Sequence, residues 1–184
     1  DYIHLKIVPG ASKDSIKRAM ALANRVSINI EAATPSGLAE LSSTKDYNKD
    51  ILKRLHWIDN LHGKSTTYPN STHTTQLIIG ANGESDREIL NRMEKIYNKT
   101  KLKRTYFSAF SPIKETDFEN KEACSTDRTA KLSNADRLLN DYHFKLNELL
   151  FDENNQLSLT QDPKILAAKN MDIFPVEINS APFI

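Results

Sequence analysis

The chain has 184 residues, 39% hydrophobic and 27% charged, the balance of a globular domain with a core of its own. Twenty-five lysines and arginines face 24 acidic residues, so a formal charge of +1 gives no global field that would single out nucleic acid or an acidic partner. No apolar run is long enough to cross a bilayer, and the opening DYIHLKIVPG lacks the pattern of a signal peptide. A soluble, cytoplasmic protein without membrane association is therefore expected. The single cysteine, Cys124, excludes an intramolecular disulfide and any site within this chain that needs two thiolates.

In chain order, Ile3 to Val8 alternates as a strand does, and Pro9-Gly10 ends it. Ser12 is placed to cap a helix carrying Asp14 in its first turn and Ile16, Ala19, Met20 and Ala23 at helical spacing. Val26 to Glu31 is a second strand, with Val26, Ile28 and Ile30 on one face and Ser27, Asn29 and Glu31 on the other. Residues 35–45 read as a short helix and loop. A longer helix starting at Asp46 has Ile51, Leu55, Ile58 and Leu61 as its stripe. The segment HGKSTTYPNSTHT is turn chemistry and reads as a loop.

A third strand, Thr75 to Gly80, leads into Gly80-Ala81-Asn82-Gly83 and then a capping-box pattern, Ser85 to Glu88. Ile89, Leu90, Met93, Ile96 and Tyr97 form the stripe of the helix behind it. The fourth strand is Thr105 to Phe110. A further helix spans Asp127 to Tyr142, with Leu132, Ala135, Leu139 and Tyr142 on one side. A short strand near Leu157 to Leu159, a helix opening at Asp162-Pro163, and a late FPVEIN complete the expectations.

Strand–helix units that recur in this way predict an α/β fold with parallel strands. A sheet covered on both faces has central strands that are nearly all apolar. Here Ser27, Asn29 and Glu31, Gln76, and Ser108 keep one face polar, the pattern of a barrel lumen that holds a polar ligand. The alternative is a solvent-facing sheet. Two glycines at the end of a parallel strand let a ligand lie against bare backbone near a helix N-terminus, although such βα turns also occur without ligands. His4 and Lys6 share a strand face, and Lys6 could meet a carboxylate or phosphate. The other histidines have no metal-site spacing, and neither a phosphate-binding P-loop nor a nucleophile elbow occurs.

The segments YIHLKIVPGAS, VSINIEAATPSGLAELSSTKD, TTQLIIGANGESDREI and YFSAFSPI, the helix around NADRLLNDYHF and the late FPVEINSAP together resemble the radical SAM proteins ascribed to DNA modification or repair. The resemblance covers nearly the whole chain. It implies a partial TIM-type barrel, residues 1–184 being its carboxyl-side portion within a longer protein, with S-adenosylmethionine in the lumen. Carried over by position, it implies that Ser27, Asn29 and Glu31 hold the ribose and methionine moieties. Ile78, Gly80, Asn82, Gly83 and Glu84 then line the adenine edge, with Gln76 turned towards the cofactor. His4, Lys6 and Ser108 are implied on the substrate side.

The cysteine loop that binds a [4Fe–4S] cluster in that family lies upstream of the matching region and is not in this chain. The resemblance thus implies that the full-length protein carries the cluster, takes an electron from a donor, cleaves S-adenosylmethionine and acts on a substrate such as a nucleotide in DNA, while this chain alone is inactive. Two other readings stand beside it: a non-catalytic binding or assembly module whose open strand edges take a mate, and a barrel enzyme using Lys6 or Glu31 in acid–base work.

Overall fold

The computed structural model describes residues 1–64 and 71–170. Four parallel strands, β1 (His4–Lys6), β2 (Arg25–Ser27), β3 (Thr72–Ile79) and β4 (Arg104–Ala109), form one sheet in the order β1-β2-β3-β4. Helices α1 (Lys13–Leu22), α2 (Pro35–Leu41), α3 (Lys53–Lys64), α4 (Asp86–Tyr97), α5 (Thr126–Asn140) and α6 (Pro163–Asn170) alternate with them or follow. No helix among the described residues is long and apolar enough to cross a membrane.

The helix starts arise from side chains that satisfy otherwise orphaned amides. Ser12, Thr34, Ser85 and Ser125 each accept from a backbone N–H of the first turn. Asp46 does the same for Asn48 and Lys49, but the segment it opens, Tyr47–Leu52, is a π-helical turn that continues into α3.

One face of the sheet is packed by helices. Val26, Leu77 and Ile79 are buried there, the Thr105 hydroxyl meets the Tyr97 phenol of α4 at 2.7 Å, and the His73 ring lies 5.5 Å from that of His62 on α3. Ile16, Met20, Ile51, Leu55, Ile58, Ile89, Leu90, Met93, Leu132 and Ala135 complete the core. The stripes read from helical spacing face the core, with Ala19, Leu61 and Tyr97 half-buried at its margin, except that α5 stops at Asn140 and leaves Tyr142 exposed.

Three element expectations are corrected. Strand β3 starts at Thr72 and α3 runs to Lys64, so the turn-like composition of residues 62–74 conceals a helix end and a strand start. Thr, His and Thr are good strand residues once a sheet supplies their neighbours. Leu157 to Leu159 is not a strand: the Leu157 amide donates instead to the Asp86 carboxylate at 2.9 Å. The expected FPVEIN element lies outside the described residues.

The third correction concerns Val26 to Glu31. Regular pairing ends at Ser27, and only Glu31 rejoins β3, opposite Leu77. Ile28 donates to the Thr74 carbonyl, but the next such bond, to the Gln76 carbonyl, comes from Glu31 rather than Ile30. One extra residue is accommodated, which makes this a β-bulge. The Thr75 hydroxyl holds it by donating to the Ile28 carbonyl at 2.8 Å and accepting from the Ile30 amide at 3.1 Å. Glu31 takes a positive φ of 62°.

Candidate functional site

The face of the sheet away from the helices is polar. Pairing in register aligns Lys6, Ser27, Thr74 and Arg104 in one row across all four strands. His4 Nε2 and Ser27 Oγ lie 3.0 Å apart, and the Gln76 amide donates to Ser108 Oγ at 2.7 Å. Ser27 and Thr74 are buried, Gln76, Ile78 and Ser108 half-buried, and His4 and Lys6 exposed. Strand alternation alone puts these groups together, as the sequence pattern requires.

Glu31 departs from that row. The bulge shifts the pleat by one residue, which sets Glu31 opposite Leu77, and the carboxylate lies 3.7 Å from Lys45 Nζ. Ser27, Asn29 and Glu31 are therefore not three rungs of one regular face, although Asn29 and Glu31 are each half-buried rather than open to solvent. Behind them, the Ala33 carbonyl accepts from Arg92 Nε at 2.6 Å and from the Tyr47 phenol at 3.3 Å. Burial pushes the Tyr47 phenol up to about 12, against the opposing pull of Arg92.

The loop after β3 is closed on itself. The Gly80 amide donates to one oxygen of Glu84 at 2.6 Å and the Asn82 amide to the other at 3.3 Å, so two of the backbone donors that could meet an anion are already held by a carboxylate of the same loop. Gly80 has φ +88°, and a Cβ there would meet Cys124 Cβ at 2.7 Å. The bare backbone at Gly80 thus receives Cys124, not an open hollow. Gly37 of α2 plays a similar part, because a Cβ on it would overlap the Asn82 side chain, whose Oδ1 is buried without a partner among the described residues. Gly83, at φ +73°, faces open space.

Residues that carry no recognisable spacing secure this loop. Arg128 donates through Nε to Asp86 at 2.8 Å and through a terminal nitrogen to the Glu84 carbonyl at 2.6 Å. Lys121 donates to the Ala81 carbonyl at 2.6 Å and lies 3.9 Å from Glu40 of α2. Burial pushes the Cys124 thiol up, outweighing the nearby Arg128 guanidinium, so this thiol is a packing group. The partners lie about 40 residues apart along the chain, and the only local hint was an arginine in the first turn of a helix whose N-terminal end disfavours cations.

No family model, no curated protein and no solved structure matches this chain. Among the described residues no group of three or more His, Cys, Asp or Glu side chains is placed to share a metal ion. An iron–sulfur cluster does not fit the chain itself, whose one thiol is directed at Gly80. Ser27, Gln76 and Ser108 bring hydroxyl and amide groups together on the polar face, and Glu31, off that row, carries a carboxylate beside Lys45.

Proposed function

We propose that this chain is one side of a partial TIM-type barrel in a radical S-adenosylmethionine enzyme acting in DNA modification or repair. On this reading, the polar face of the sheet binds S-adenosylmethionine. The observation that carries the proposal is a parallel sheet in sequential order with helices packed on one face and hydrogen-bonding side chains on the other. A singly wound barrel is built in that order, with its helices outside and its polar rungs inside.

When bound, S-adenosylmethionine supplies the organic chemistry, reduced by a cluster held elsewhere in the full-length protein and fed by an electron donor. The residues here bind, orient and exclude water. Ser27, Asn29 and Glu31 hold the ribose and methionine portion, Gln76 braces the cofactor, and Ile78 with the open side of Gly83 meets the adenine edge. Asn82 and Glu84 act one step removed, by keeping the loop closed around Gly80. His4, Lys6 and Ser108 face the substrate, a nucleotide of DNA. A cytoplasmic setting belongs to the same proposal.

Calorimetric titration of the chain with S-adenosylmethionine tests this. Saturable binding that weakens roughly tenfold in Glu31→Gln and in Gln76→Ala is expected, each having lost one charge-assisted or buried hydrogen bond. Absence of saturable heat, or binding indifferent to both substitutions, would remove the cofactor site.

A second reading is favoured by the sheet edges: β1 and β4 have no further strand beside them among the described residues. An assembly module would pair those edges with a partner and leave the polar face without a cofactor. Concentration-dependent self-association in sedimentation together with no S-adenosylmethionine binding would select it.

A further inference from the structure

At the opposite end of the sheet, where the strands begin, we infer a second binding site, for the phosphate group of a small molecule. A cavity of ≈ 230 Å³ is lined by Arg25, Lys103, Arg104 and Arg137 together with Asp136, Asn140 and Asp141. Four cations face two carboxylates. Asp141 lies 3.7 Å from Arg137, and Asp136 is turned inwards to the Tyr97 phenol at 2.8 Å. Arg25, Lys103 and Arg104 have no carboxylate within ion-pair distance among the described residues, so the cavity keeps a positive excess.

Arg25 is the most specific of them. It opens β2 and reaches across β3, so that one terminal nitrogen, Nη1, donates to the Tyr106 phenol of β4 at 3.2 Å. Its guanidinium also lies 5.7 Å from the centre of the Tyr2 ring. These contacts fix the plane of the group and leave Nη2 without an acceptor among the described residues, available to an oxyanion. Nε is buried with no acceptor among the described residues. A buried donor without a partner is costly, so the side chain is held here at the expense of that bond.

Arg104 opens β4 and is likewise oriented by an aromatic ring, its guanidinium 5.9 Å from the centre of Tyr106. Both arginines thus converge on one tyrosine from strands on either side of β3. Asn140, which donates to the Lys103 carbonyl at 3.0 Å, holds the lysine's backbone against the end of α5. The carboxyl end of α5 and the two aspartates oppose an anion, so binding relies on the guanidinium groups of Arg25 and Arg104, which a compact tetrahedral oxyanion can engage at once. A phosphate monoester or inorganic phosphate has that shape and charge, and the remaining volume admits a small pendant group.

Titration of the chain with inorganic phosphate and with pyrophosphate, followed by calorimetry at constant ionic strength, tests the site. Saturable binding is expected, weakened roughly ten- to hundredfold in Arg104→Gln and in Arg25→Gln. Lys114→Gln, an exposed substitution with the same charge change, should leave it unaltered. Arg104 is exposed, so its variant remains informative should Arg25→Gln fold poorly, a point checked by Trp57 fluorescence. Equal weakening by Lys114→Gln would reduce the effect to net charge and overturn the proposal. So would no saturable phosphate or pyrophosphate binding, including the case in which only long oligonucleotides bind.

Discussion

Replacing His73 by leucine removes a group whose titration is tied to folding. His73 sits on β3 at 2% exposure, both ring nitrogens without a hydrogen-bond partner among the described residues. Burial drives its pKa down from 6.5 to about 4, with His62 beside it adding in the same direction and Asp59 opposing. A histidine depressed in this way contributes stability that is complete above pH 6.5 and is lost as pH falls towards 4, where the unfolded chain binds a proton that the folded chain refuses. Over that window the slope is about 1.4 kcal/mol per pH unit, or ~3 kcal/mol in all.

Asp136 of α5 works in the opposite sense. At 3% exposure, burial lifts its pKa from 3.8 to about 7, although the hydrogen bond from Tyr97 and the charge of Arg104 pull it back. Its contribution is complete below pH 3.8 and lost as pH rises through 7, roughly 4 kcal/mol over the window at the same slope. From about pH 4 to 6.5 the two slopes cancel to first order. The difference in unfolding free energy between His73→Leu and wild type should therefore change by about 1.4 kcal/mol per pH unit, the variant losing relative stability as pH rises, and Asp136→Asn should show the reverse trend. Urea denaturation followed by the fluorescence of Trp57, the only tryptophan, reads both at about pH 4.5, 5.5 and 6.5. A His73→Leu difference that is constant with pH would refute the reasoning.

Other predictions concern the loop after β3. Arg128→Ala leaves the Asp86 carboxylate, 1% exposed, without its guanidinium, and should cost roughly 3–5 kcal/mol in urea denaturation. Adding Asp86→Asn should recover part of that loss, since the uncompensated charge is then gone. Gly80→Ala meets both a positive φ and Cys124, and should destabilise by about 1–3 kcal/mol from the backbone alone and more from the overlap. Adding Cys124→Gly should relieve the overlap and leave the backbone cost, which a double-mutant cycle separates.

Much of the fold was legible because its signals are local. A serine or threonine before an apolar stripe caps a helix within one turn, and that rule located the starts at Ser12 and Ser85. Alternation within a strand put Ser27, Gln76 and Ser108 on the face opposite Val26, Leu77 and Phe107, since the pleat has a period of two. The strand at Thr72 and the helix through Lys64 were hidden because turn-forming residues accept regular structure when neighbouring elements pack on them.

Tertiary contacts alone decided what became of the glycines and of Glu31. The extra residue between Ile28 and Glu31 exists because a hydroxyl on the next strand, Thr75, bonds the β2 chain beside it, 45 residues away in sequence. Gly80 is covered because Cys124 arrives from beyond β4, and Asp86 is buried because Arg128 reaches it from α5. Periodicity and caps record what a residue needs from its own turn or pleat. Which distant side chain satisfies a bare glycine or a buried charge depends on how whole elements dock, and no local pattern encodes that.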